Sequence, residues 1–178
     1  MARKPTSGTY QSRFFRDDFW MKQKILVVYY SRSGSTRKVA KAIARELDAD
    51  LEEIMDFADR SGQEGYNLCG KEGMMRKATV IGQIRKDPSN YDLVVIGTPI
   101  WSFNYSSPVR SYLNKYRKSI KKAAFFCSCG GFPGFAFWDM AVTFGKSPVA
   151  KLKVRVKQVK DGSYLALVKE FAEKIRNQ

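Results

Sequence analysis

Three runs of this chain are apolar at almost every position: ILVVYY at Ile25–Tyr30, LVVI at Leu93–Ile96 and KAAFFC at Lys122–Cys127. A strand with one wet face alternates polar and apolar residues, so runs apolar on both parities belong to a sheet covered on both sides. Each run halts at small, hydroxyl or turn residues, and a helical pattern follows. After the first, Val39, Ala40, Ile43, Ala44 and Leu47 recur at helical spacing over Thr36–Leu47. After the second, Gly97-Thr98-Pro99 ends the strand, and Pro108 opens a helix with Val109, Tyr112, Leu113 and Tyr116 on one face.

The remaining segments continue this alternation. Asp50–Ile54 reads as a short second strand, Ser61-Gly62 and Gly65 as a loop, and Met74–Ile84 as a helix. Trp138–Phe144 reads as a short helix, Val149–Val159 alternates as a fifth strand, and Tyr164–Ile175 closes as an amphipathic helix. Strands separated by helices predict an α/β fold, a parallel sheet wrapped on both faces in a three-layer doubly wound sandwich. The 178 residues, 44% of them hydrophobic, suffice for one well-buried domain and not comfortably for two. Residues 1–23 read as an N-terminal extension outside the core, and residues 24–178 as the domain.

Composition removes several chemistries. There is no histidine, which excludes His-dependent triads, imidazole zinc sites and imidazole proton shuttles. Cysteine occurs three times, at Cys69, Cys127 and Cys129, too few and too odd a number for a disulfide framework. The expectation is a reducing, cytoplasmic setting and no metal site. Residues 1–20 are basic but lack the apolar centre of a secretory signal, with Asp17-Asp18 in its place. Ala123–Phe144 imitates a membrane span whose single charge is Asp139, yet Gly130, Gly131, Pro133 and Gly134 interrupt it. A strand, a loop and a helix are expected there, with no transmembrane segment. The net charge of +15 suits an acidic protein, an anionic membrane surface, nucleic acid or a charged small molecule, and equally a solvated lysine-rich surface.

In doubly wound sheets ligands bind beyond the carboxyl ends of strands, so the loops after the three apolar runs carry the functional signal. The first is SRSGST, Ser31–Thr36. A helix start offers unpaired N–H groups and partial positive charge, hydroxyls add donors, and Gly34 lets the backbone come close. Neither GxxxxGK[ST] nor GxGxxG is present, so a terminal monophosphate fits better than a triphosphate or pyrophosphate. An ordinary capped turn is the competing reading. The second, TPIWSFNYSSPV over Thr98–Val109, crowds Trp101, Phe103 and Tyr105 where they either stack on a flat ring or pack beneath the loop. The third, CSCGGFPGF over Cys127–Phe135, is glycine-rich enough for a backbone to approach a ligand edge, and equally for a flexible turn.

Over almost its whole length after about residue 24, the chain resembles flavodoxins and flavodoxin-like FMN proteins. YYSRSGST resembles their phosphate loop, VVIGTPIW the entry to the second loop and AAFFCSCGG the third. The resemblance implies a five-stranded parallel sheet in the order 2-1-3-4-5 and non-covalent FMN. It places Ser31, Arg32, Ser33, Gly34, Ser35 and Thr36 around the phosphate, with Arg37 also flanking it. Thr98, Pro99, Ile100, Trp101, Ser102 and Phe103 would line the ribityl chain and one ring face. Cys129, Gly130, Gly131 and Phe132 would meet the pyrimidine end and the other face.

Two departures from the family's electron carriers stand out: those are acidic where this chain is basic, and they offer tyrosine and acidic residues where it has Phe-Pro-Gly-Phe. Reduced FMN is an anion near neutral pH, so a basic surround implies a flavin easier to reduce. Lys151, Lys153, Arg155 and Lys157 alternate with Leu152, Val154 and Val156, placing four charges on one strand face. That face reads as a guarded sheet edge or as a dock for an acidic redox partner protein. An electron carrier by one- or two-electron flavin cycling, needing no acid–base side chain, is the leading expectation. An FMN-dependent NAD(P)H:quinone or related oxidoreductase in peripheral contact with a membrane is the alternative. A flavin-free basic binding or regulatory domain is the third reading, although no specific nucleic acid is expected.

Overall fold

The structure, a computed structural model, describes residues 23–178. In chain order its elements are β1 (Ile25–Tyr29), α1 (Ser35–Leu47), β2 (Asp50–Glu53), α2 (Gly62–Met74), β3 (Leu93–Trp101), β4 (Asn104–Tyr105), α3 (Ser107–Tyr116), β5 (Ala123–Cys129), α4 (Ala136–Phe144), β6 (Lys151–Arg155), α5 (Val156–Asp161) and α6 (Tyr164–Arg176). Five strands are parallel in the order β2-β1-β3-β5-β6, and β4 folds back antiparallel onto the end of β3. Numbering the parallel strands alone, this is the expected 2-1-3-4-5 order of a flavodoxin-like sandwich.

Alternate residues of the buried strands feed two cores, as period-2 geometry requires. Val27, Val95, Phe126 and Val154 pack with Val39 and Ile43 of α1 and Val168 and Phe171 of α6. Leu26, Val28, Val94, Ile96 and Phe125 pack on the opposite face with Val109, Tyr112 and Leu113 of α3 and Met140 of α4. Each such fully buried aliphatic or aromatic side chain contributes about 1.5–3 kcal/mol of transfer free energy.

Three segments differ from the sequence expectation. The expected loop at Ser61–Gly65 and helix at Met74–Ile84 are reversed: α2 spans Gly62–Met74, and residues 75–87 form a connection pinned by the Asp56–Ile81 bridge. Two of the glycines of α2 are there for proximity. A Cβ on Gly65 would lie 2.1 Å from the Arg60 carbonyl carbon, and one on Gly73 2.3 Å from the Trp101 carbonyl oxygen. β3 does not stop at Gly97 but runs on to Trp101; pairing with β1 ends at Gly97, so Pro99 lies past the two-sided part of the ladder. The alternation over Val149–Val159 yields a strand only from Lys151 to Arg155. There the Gln158 side-chain Oε1 accepts the Arg155 amide at 2.8 Å and turns the chain into α5, so Lys157 sits on a helix and not on the strand face.

The span-like Ala123–Phe144 stretch is β5, a loop and α4, and no helix among the described residues is long and apolar enough to cross a membrane. The extension expected over residues 1–23 lies, apart from Gln23, outside the described residues.

Candidate functional site

A cleft of about 480 Å³ opens beyond the carboxyl ends of β1, β3 and β5. All three loops singled out in the sequence reach it, and the four hydroxyls of the first divide their labour. Ser31 turns inward: its Oγ accepts the amides of Gly34 at 3.1 Å and Arg37 at 3.2 Å, so it shapes the loop. Thr36 is buried, sharing a 2.7 Å hydrogen bond with Ser128 Oγ that ties α1 to β5. Ser33 and Ser35 line the cleft. Gly34 sits at φ 91°, where a side chain would be strained, and caps α1. The Ser35 and Thr36 amides fall in the first helical turn, whose N–H groups lack intrahelical acceptors; that turn carries no acidic residue.

The flanking arginines face other partners. Arg32 Nε donates to the Arg60 carbonyl at 2.8 Å and Nη2 to the Gly62 carbonyl at 3.1 Å, with its guanidinium 5.6 Å from the Tyr66 ring centre. Arg32 therefore walls the cleft while clamping the start of α2. Arg37 forks onto Glu53, with its shortest contact at 2.6 Å, and Tyr29 donates to the same carboxylate at 2.9 Å. Burial, with Glu53 adding to it, pushes the Tyr29 hydroxyl up to about 12.

From the second loop, Pro99, Ile100, Trp101 and Ser102 line the cleft. Thr98 is fully buried and bonds Ser106 Oγ at 3.0 Å, fixing the entry to α3. Trp101 is held from two sides, with the Tyr30 ring edge-on at 5.7 Å and the Arg60 guanidinium 5.0 Å from its centre. Arg60 is itself held by Asp56 and Glu72, each at 2.7 Å. Ser102 and Phe103, at φ 45° and 63°, form the two-residue hairpin between β3 and β4. Two left-handed residues suit the twist of a tight hairpin, but in a non-glycine pair the conformation costs energy. Phe103 projects outward, 64% exposed.

The third loop contributes Cys129 and Gly130 to the cleft, while Gly131 and Phe132 are exposed beyond it. A hydrogen bond from Cys127, with the cations Lys153 and Arg155 nearby, holds the Cys129 thiol below the ordinary value. The same pairing and burial push Cys127 up, and burial pushes Cys69 up. The cleft also has a wall absent from the sequence reading: Tyr66, Asn67, Cys69 and Gly70 of α2, with Ser128 and Val156. A signal for that wall exists in the sequence. Gly65, Cys69 and Gly73 are spaced by four and form a small-residue stripe on one helical face, buried in the structure.

Comparisons with known proteins agree with this geometry. The family described as Flavodoxin matches residues 24–136. A flavoprotein from Lactobacillus acidophilus, solved in complex with FMN, is 26% identical with a TM-score of 0.64, over 79% of this chain and 99% of its own. Oxidised Flavodoxin 2 from Bacillus cereus is 20% identical with a TM-score of 0.56, over 86% of this chain and 98% of its own. A WrbA-like flavodoxin from Agrobacterium tumefaciens shares the fold at 16% identity and a TM-score of 0.52, over 87% and 98% of the two chains. No curated protein matches the sequence. With most of its length inside the family match and its strands in the family's order, this chain belongs to the flavodoxin family.

Proposed function

We propose that the cleft binds FMN non-covalently and that the chain is an electron-transfer protein. The observation that carries this reading is the first loop, where Ser33, Ser35 and the opening amides of α1 converge on the cleft while both neighbouring arginines are engaged elsewhere. Neutral donors at a helix start suit a monophosphate. Ser31, Gly34 and Thr36 shape that loop, and Arg32 closes its side. Residues Thr98 to Phe103 carry the ribityl chain and one ring face, with Thr98 acting through the loop it anchors; Cys129 to Phe132 border the pyrimidine end, and Tyr66 and Asn67 add the wall from α2. When bound, FMN supplies reversible transfer of one or two electrons. The residues of the chain hold the ring at the surface and exclude water from its buried side, work that needs no histidine.

The electron partner on this reading is an acidic protein. Lys151, Lys153 and Arg155 stand exposed on the edge strand β6, with Lys157 next to them, a surface that raises association rates with a negative partner at low salt. Cys69, Cys127 and Cys129 are free, consistent with a reducing cytoplasm.

Titration of flavin-free protein with FMN and riboflavin, followed by flavin fluorescence, tests the cofactor. One equivalent of FMN is expected to bind with micromolar or tighter Kd, about −8 kcal/mol or better, and riboflavin at least about tenfold more weakly. Ser33→Ala with Ser35→Ala should narrow that gap from the FMN side. Absence of FMN binding overturns the proposal. The exposed aromatics Phe103 and Phe132 favour a second reading, an FMN-dependent NAD(P)H:quinone oxidoreductase; multiple-turnover NAD(P)H oxidation with a quinone by the protein alone would establish it.

A further inference from the structure

α4 is apolar on its inner and its outer face. Met140 and Phe144 face the core, and its one charge, Asp139, is also inside, 2.6 Å from Arg110 in a pair nearly closed to solvent. The outer face is Trp138, 58% exposed, and Val142, 56% exposed, continued one turn earlier by Phe135 at 67%. A helix apolar all round calls for a cover on its outer side. The loops beside it extend the surface. The Phe135 amide donates to the Phe103 carbonyl at 2.8 Å, which joins the backbones of two exposed phenylalanines, and Phe132, 69% exposed, lies three residues before Phe135 in the same loop.

Charge identifies what covers this face. Between Leu93 and Lys160 the chain holds twelve lysines and arginines and one carboxylate, Asp139, consumed inside. Two of these, with Arg76 from the connection after α2, rim α4. Arg76 lies 5.9 Å over the Trp138 ring, Arg117 donates to the Thr143 carbonyl at 3.2 Å, and Lys146 is 5.8 Å from the Phe144 ring. A second copy of a chain with net charge +15 is repelled by its twin. Protruding tryptophan and phenylalanine inside a cationic rim are the chemistry of a membrane–water interface with anionic headgroups.

We infer that the α4 face, with Phe132, Phe135, Trp138 and Val142 at its centre, docks the protein on anionic phospholipid bilayers. The rings enter the headgroup region, and Arg76, Arg117 and Lys146 meet lipid phosphates. Docking there also turns the Phe103–Phe132 rim of the cleft toward the bilayer.

The test is flotation of the full-length protein with vesicles of phosphatidylcholine alone and of an equimolar phosphatidylcholine–phosphatidylglycerol mixture. Binding is expected on the mixed vesicles only, weakened about tenfold or more by Phe135→Ser with Trp138→Ser, and preserved by Trp138→Phe. Both sites are exposed, so far-UV circular dichroism should be unchanged in the variants. Brominated lipid should quench tryptophan fluorescence in the parent and much less in Trp138→Phe. No vesicle binding overturns the proposal. So does binding that survives Phe135→Ser with Trp138→Ser but is lost in Lys151→Glu with Lys153→Glu, which is adsorption through the far edge. A dimer or an acidic protein partner broken by the α4 substitutions, without vesicle binding, gives the face to another occupant and equally overturns it.

Discussion

The two helical layers of this sandwich obey different rules. On one side, α1 and α6 bury an apolar stripe and present Lys38, Lys41, Arg45, Lys169 and Lys174 to solvent, the ordinary division of an amphipathic helix. On the other, ions are buried and apolar groups exposed. Arg110–Asp139 lies beneath α3 and α4, and Arg60 is enclosed between Asp56 and Glu72. Among the described residues, every exposed large apolar side chain except Leu165 lies in α2 or the connections flanking it, in the β3–β4 hairpin, or in α4 and the loop before it. The first layer supplies stability by a single rule; the second departs from it around the cleft, where binding groups are displayed and local rules are expected to fail.

The sharpest way to break this contrast is to strike one buried ion. Arg110→Leu leaves the buried Asp139 only the half-exposed Arg76 at 3.8 Å and removes the cation stacked 3.9 Å over Tyr105, so chemical denaturation should show a loss approaching about 3–5 kcal/mol. Arg110→Leu combined with Asp139→Leu should recover most of that loss. In the regular layer, Ile43→Ala leaves a cavity against α6 and should cost about 2–4 kcal/mol in the same assay. The two layers then differ in rescue: the charge swap has a compensating partner and the cavity has none.

Gly73→Ala is expected next, at about 1–3 kcal/mol. Its effect is local, because the added methyl meets the Trp101 backbone and displaces the α2 wall; flavin affinity should fall more than global stability. Ser31→Ala removes the acceptor for the Gly34 and Arg37 amides and should cost about 1 kcal/mol with weaker FMN binding. Arg37→Ala breaks a largely exposed pair with Glu53 and should cost less than about 1 kcal/mol. Among the thiols, Cys129 should be the first alkylated by iodoacetamide. Its rate should rise with pH earlier than that of a free cysteine, since the thiolate is the nucleophile and its neighbours favour that form. Cys129→Ser should abolish this early phase.

How much the sequence discloses follows the same division. β1, β3, β5, α1 and α6 are legible because one periodicity decides each. α2 is not, since Gly65, Gly70 and Gly73 carry the conventional mark of a loop, whereas two of them here allow backbone contact. The end of β3 is misread because Pro99 marks a strand stop, and the ladder tolerates it only beyond the last β1 pair. The site shows the same limit. SRSGST identifies the phosphate end, but the α2 wall follows the misread helix, and the split among the hydroxyls depends on Ser128, ninety-two residues away. The reach of an arginine is equally non-local: Arg32 and Arg37 look alike beside the loop and anchor to different elements.

The packing of α1 against α6 bears on how the protein is made. The apolar stripe of the first helix is sealed by Val168, Phe171 and Ile175 of the last. Synthesis at roughly 5–20 residues per second places on the order of ten seconds between the two. Throughout that interval the nascent chain carries an unsealed greasy groove, so the most regular layer of the finished molecule is the one most in need of a chaperone while it is being built.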